Sequence, residues 1–266
     1  MKYWYTRLLS VKYLLGFFLG VAIVSSHIVF EMVPRIRYLD GVDVINLPST
    51  TWLGGDINGG IPSIYYLLLP LFSVLGANLI VFEDKKNSYF LRFIQKQSIF
   101  RYSMRTFGLS FISGFLISFI SLAIDFIVAF SLFPNINPDI ILNSNLSVTS
   151  KSTYFSDLFF TNPYLLIFMY MIMAGCMSGL YSCTSATISL YVKNIYIALS
   201  TVFLITVILT TLSYVVPKII YSPASILQEL GGGYLPPFSS IVSVYFIVLV
   251  TSFYYFIRGV NKNAVI

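Results

Sequence analysis

The chain has 266 residues, of which 57% are hydrophobic and only 10% charged, with a formal net charge of +6. A soluble domain carries about 25% charged residues, so a chain this poor in charge would expose too much apolar surface in water, and the soluble globular classes are excluded. In such a chain the positive excess reflects the positive-inside rule and contact with anionic lipid rather than nucleic-acid binding.

The apolar runs reach the roughly 20 residues that a membrane-crossing helix needs, whereas a barrel requires short alternating segments. Lipid offers no partner to a backbone N–H or C=O, so helices are the natural crossing structure. The fold class expected is an all-α integral membrane protein, with 1–266 as a single transmembrane domain of six transmembrane helices.

Residues 1–12 are aromatic and basic, with Lys2, Arg7 and Lys12 around Trp4, which reads as an N-terminal interfacial helix. Span 1 is expected over 13–33; Gly16 and Gly20 lie in it at the four-residue spacing of helix-packing faces. A polar loop of Pro, Asp and Gly follows over 34–59. Span 2 is expected over 61–82, a basic segment over 83–105, and span 3 over 107–133, ending at Pro134. Residues 134–159 are rich in Asn and Ser and carry a glycosylation sequon at Asn145, meaningful only in a eukaryotic secretory setting.

Span 4 is expected over 160–182. Small residues recur there at helical spacing, with Ala174, Ser178 and Ser182 beside Gly175, Gly179 and Cys183, a face that another helix can approach closely. Cys176 and Cys183 are separated by about 10 Å of helical rise, beyond the roughly 7 Å that a disulfide allows. A short turn at Lys193 and Asn194 leads to span 5 over 195–216. The loop 217–237 is punctuated by Pro and Gly, with a possible short helix in its ASILQEL stretch, and span 6 covers 238–257.

Six spans put both termini on one side. Twelve of the sixteen Lys and Arg fall in the termini and in the loops after spans 2 and 4. The positive-inside rule therefore places both termini and the basic segment in the cytoplasm.

Catalytic chemistry is sparse. His27 is the one histidine, and zinc sites take three or four ligands, so no metal site is expected. There is no HExxH motif and no GxxxxGK[ST] phosphate loop. Asp125 falls in the outer half of span 3. An intramembrane carboxylate is costly and faces protein or water; it is either a translocation-path group or a carboxylate near the interface, hydrogen-bonded to tyrosine or serine. A secondary transporter using Asp125 is one alternative reading. A membrane-embedded substrate-binding component of an importer is another, and an intramembrane enzyme a third.

The segment 83–105 carries Lys85, Lys86, Arg92, Lys96, Arg101 and Arg105. Phe90, Phe93, Ile94, Phe100 and Met104 fall broadly on one side of a helical projection, opposite Arg92, Gln95 and Lys96. Such a face suits either anionic lipid or a soluble partner. With the six-span layout, the segment resembles the permease subunits of type-2 ABC exporters. The resemblance is carried by Glu83, Asn87, the apolar pair Phe93 and Ile94, Arg101, Tyr102 and Arg105.

That resemblance implies a cytoplasmic coupling helix between spans 2 and 3 that docks on a separate ATPase through Glu83, Asn87, Phe90, Phe93, Ile94, Lys96 and Arg101. It also implies short extracellular helices between spans 5 and 6. Two ATPase subunits holding ATP and Mg would drive two permease chains, a homodimer or heterodimer, in a bacterial plasma membrane. The chain itself would have no active site and bind no cofactor. The 20 Tyr and 24 Phe suit a hydrophobic or amphipathic cargo such as a peptide, lipid or drug.

Overall fold

The computed structural model describes residues 11–39, 46–76, 78–87, 98–141, 143, 146, 148–217, 219–231 and 235–264. The expected interfacial helix lies almost wholly outside the described residues, as do Phe90, Phe93, Ile94, Lys96 and the sequon at Asn145. Among the described residues there is no strand, and five helices are long and apolar enough to cross a membrane.

Helix α1 (Val11–His27) continues through a π turn (Ile28–Met32), a single α turn (Val33–Arg35) and a 3-10 turn (Ile36–Tyr38). The π turn lies directly before Pro34, whose missing N–H and bulky ring interrupt the helical ladder. Helix α2 (Pro48–Thr51) is one turn in the loop that follows.

The expected span over 61–82 is met by two helices, α3 (Gly60–Ser73) and α4 (Asn78–Lys86). Pro70, inside α3, has no N–H for the ladder, and the chain leaves the helix soon after it. At the break the Leu75 carbonyl accepts from the Gly16 N–H of α1 at 3.2 Å. A side chain on Gly16 would run into the Phe72 and Leu75 carbonyls, so this close approach requires glycine. Gly20, one turn on, lies against Ser121.

Helix α5 (Ile99–Leu132) begins eight residues before the expected span, because Ser98 caps it by accepting from the Arg101 N–H. It stops before Pro134, which disfavours helical geometry at Phe133. A short α6 (Ser156–Thr161) precedes α7 (Pro163–Tyr191), which Asn162 caps with Pro163 in its first turn. Helix α8 (Ile195–Val215) is capped by Asn194, and α9 (Phe238–Ala264) follows the Pro236–Pro237 pair. Between α8 and α9 the described residues contain a single 3-10 turn, Ser225–Leu227.

The most buried of the five long helices is α7, and it packs along α5. Gly114 of α5 meets Ser178, Gly179 and Ser182 of α7, and Ser178 Oγ donates to the Gly114 carbonyl at 2.6 Å. Gly175 and Gly179 receive the rings of Phe115 and Phe111. Small residues on both helices thus let the backbones close up, which is how helices gain packing contacts where lipid supplies no hydrophobic drive. Cys176 and Cys183 are both free thiols. Outward, α8 and α9 present apolar side chains such as Leu204, Ile208, Val244 and Phe246.

Candidate functional site

Asp125 and Tyr102 both belong to α5, so about 35 Å of helical rise separates them. Each marks a polar assembly, one at either end of the bundle.

At the Asp125 end, His27 is fully buried where α1 passes into the π turn. Its Nδ1 lies 2.7 Å from Asp125 Oδ1. Its Nε2 lies 3.4 Å from Asp56 Oδ2 and 3.5 Å from Glu31 Oε2. Asp125 accepts a second hydrogen bond at Oδ2 from the Leu53 N–H, at 2.6 Å. Its partners are therefore a histidine and a backbone amide, where one of the two sequence readings had tyrosine or serine.

Asp56 sits in the turn before α3. Its Oδ1 accepts from the Asn58 and Gly59 amides, and its Oδ2 takes Arg35 Nη2 at 2.6 Å. Burial alone would push the Asp56 carboxyl up, but the His27 and Arg35 contacts outweigh it and hold the group below the usual carboxylate range. Glu31 uses Oε1 to accept from the Ile61 N–H, while its Oε2 is buried without a hydrogen-bond partner among the described residues.

The polar chain continues into the loop between α8 and α9. Trp52, next to Leu53, donates its indole N–H to Glu229 Oε2 at 2.9 Å. The Glu229 N–H donates to the Gly54 carbonyl at 2.8 Å, and its carbonyl accepts from Thr153 Oγ1 at 3.0 Å. Glu229 is fully buried, and desolvation pushes its carboxyl up to about 8 despite the Trp52 hydrogen bond. Three loops are thereby stitched over the ends of α1 and α5.

At the Tyr102 end, the buried Tyr102 hydroxyl donates to the buried Asp84 Oδ2 at 3.0 Å. Lys85 Nζ donates to the Leu190 carbonyl at 2.7 Å and the Val192 carbonyl at 3.0 Å, at the C-terminus of α7. This cation satisfies the last carbonyls and complements the helix dipole. Asn263 Nδ2 of α9 also donates to the Leu190 carbonyl. Beneath these contacts Val81, Tyr102, Phe107, Cys183, Leu190 and Phe256 form an apolar cluster of their own, joining α4, α5, α7 and α9.

Of the residues expected to meet an ATPase, Glu83 lies in the last turn of α4, Asn87 is exposed just after it, and Arg101 is exposed in the first turn of α5. Phe90, Phe93, Ile94 and Lys96 lie outside the described residues.

A cavity of about 540 Å3 opens between α7, α8, α9 and the loop at 219–226, lined by residues including Met177, Tyr181, Thr206, Ile241 and Tyr245. Its walls are apolar, and the Tyr245 hydroxyl is buried without a hydrogen-bond partner among the described residues.

Sequence reasoning considered His27 and Asp125 separately and missed Glu31, Asp56 and Glu229. The His27-x-x-x-Glu31 spacing, one helical turn, was a readable signal for the first. Nothing local tied Asp56 or Glu229 to the cluster. No family model, no curated protein and no solved structure matches the chain.

Proposed function

We propose that the chain is the transmembrane permease subunit of a type-2 ABC exporter, driven by a separate ATPase, with both termini and the 83–105 segment in the cytoplasm of a bacterial plasma membrane. In this reading α3 and α4 together make the second of six crossings, and two such chains, alike or paired with a relative, enclose the path. The observation that carries the reading is the anchoring on both sides of the basic segment. Asp84 and Lys85 lie near its start and Tyr102 near its end; Asp84 bonds Tyr102, and Lys85 grips the end of α7.

A push on the segment therefore acts on α4, α5 and α7 at once, through a packed apolar cluster that also includes α9. Interiors packed this closely transmit displacement rather than absorb it. In this reading force comes from a partner that binds ATP, in keeping with the lack of a GxxxxGK[ST] phosphate loop in this sequence. The cavity beside α7, apolar with an orphan phenol hydroxyl, supports a hydrophobic or amphipathic cargo with at least one hydrogen-bonding group.

Affinity purification of the full chain from native membranes tests this. A protein with a phosphate-binding loop co-purifies with the native chain and is lost when Phe93, Ile94 and Lys96 are all replaced by Asp. Undiminished co-purification after the three changes overturns the assignment of the coupling segment, and absence of any such ATPase overturns the exporter reading.

A further inference from the structure

The cluster around His27 gathers more negative than positive groups, and its donor atoms converge as the ligands of a cation do. His27 Nδ1 and Asp125 Oδ1 share a proton at 2.7 Å, Asp125 Oδ2 accepts from the Leu53 N–H, and the other ring nitrogen, Nε2, faces the carboxylate oxygens Asp56 Oδ2 and Glu31 Oε2. A bare nitrogen lone pair facing two carboxylates is repulsive. Something positive belongs at that point, either a second proton or a metal ion.

Charge balance separates these two. Three carboxylates, Glu31, Asp56 and Asp125, stand against one guanidinium, Arg35. A proton on Nε2 cancels one of the two remaining negative charges and leaves the other in a buried site. A divalent cation cancels both and leaves the imidazole neutral, as a metal ligand must be.

Geometry agrees. His27, Glu31 and Asp56 each bring one donor atom within 4.8 Å of the other two. The 3.4 and 3.5 Å separations from Nε2 are close to the roughly 3.3 Å edge of a tetrahedron with bonds of about 2.0–2.1 Å. The opposite atom of every donor group is already held: His27 Nδ1 by Asp125, Glu31 Oε1 by the Ile61 amide, and Asp56 Oδ1 by the Asn58 and Gly59 amides. A histidine whose far nitrogen is fixed by a carboxylate is the usual outer arrangement of a metal-bound imidazole.

Glu31 Oε2 has no hydrogen-bond partner among the described residues. Residue 59 is glycine where a side chain would collide with Glu31 Oε2 and Asp56 Oδ2. The helix turn that carries Glu31 is π rather than α, a distortion often found at functional positions. Arg35 Nη2 also bonds Asp56 Oδ2, and a carboxylate oxygen has lone pairs for both a guanidinium and a metal.

We propose that His27 Nε2, Glu31 Oε2 and Asp56 Oδ2 bind one divalent first-row transition-metal cation, such as zinc, cobalt or manganese, with water completing its shell and Asp125 positioning His27. One nitrogen and two carboxylate oxygens suit that class better than calcium, which takes six to eight oxygens. The proposal stands independently of the exporter reading, because it concerns only the ends of α1 and α5 and the loop between α2 and α3.

The test uses the full chain, purified in detergent through a histidine-free tag, stripped with chelator and then dialysed against zinc or cobalt. Elemental analysis is expected to find one zinc per chain, and cobalt to give visible absorption bands of a four- or five-coordinate nitrogen–oxygen site. Glu31→Gln should weaken zinc binding at least about 100-fold, and Asp125→Asn about 10- to 100-fold with one ion still bound. Absence of stoichiometric zinc, cobalt and manganese, or unchanged zinc affinity in Glu31→Gln, overturns the proposal. Should Glu31→Gln fail to elute as the native protein does, the cobalt spectrum of Asp125→Asn decides: a shifted spectrum supports the site, and one identical to that of the native chain overturns it.

Discussion

Glu229 shows how much one buried side chain can impose on the molecule. Its carboxyl is pushed up to about 8 by desolvation, and its Oε1 lacks a hydrogen-bond partner among the described residues. The folded protein holds this proton more tightly than the unfolded chain does. The group's contribution is therefore complete below the ordinary carboxylate value of 4.5 and is lost as pH rises through about 8. Glu229→Gln keeps the Trp52 contact and removes the ionisation. It should raise thermal stability at pH 9 by an amount on the order of 1–3 kcal/mol and leave stability at pH 5 nearly unchanged, as read from melting of the detergent-solubilised protein at the two pH values. An equal effect at both would mean that Glu229 does not titrate in this range.

At the scale of elements, the contact between α5 and α7 rests on absent side chains. A Cβ at Gly114 would meet the Ser178 carbonyl and Ser182, whereas one at Gly108, on the same helix, meets nothing within 4 Å. Gly114→Ala should therefore cost about 1–3 kcal/mol through forced separation of the helices. Gly108→Ala should be neutral or stabilising by up to about 1 kcal/mol through helix propensity. Comparing the melting temperatures of the two variants checks the packing.

Much of this layer was legible beforehand. The expected starts of spans 5 and 6 at 195 and 238 coincide with those of α8 and α9, because Asn194 caps the one and the Pro236–Pro237 pair precedes the other, although α9 runs on past the expected 257 to Ala264. The second span was less legible. Pro70 and Gly76 lie within a continuous apolar run, and hydropathy alone does not register the N–H that proline lacks. The start of α5 was missed because Ser98 to Arg105 belong by charge to the basic segment, which the sequence reading kept apart from the apolar span that follows it.

At the scale of the molecule, two polar assemblies close the ends of an apolar bundle, and one had much the plainer signature along the chain. The basic segment could be read whole from the sequence because its charges lie close together along the chain. The His27 cluster could not, since Asp56 is 29 residues from His27 and Asp125 is 98 residues away; only folding brings them together. The exporter reading requires that the basic segment meet a protein that delivers force. Photo-crosslinking from a benzophenone amino acid placed at Phe93, in intact cells, tests it most directly. The account predicts an adduct with a protein carrying a phosphate-binding loop, its yield changing when ATP is depleted. An adduct with lipid alone, at a yield indifferent to ATP, would contradict it.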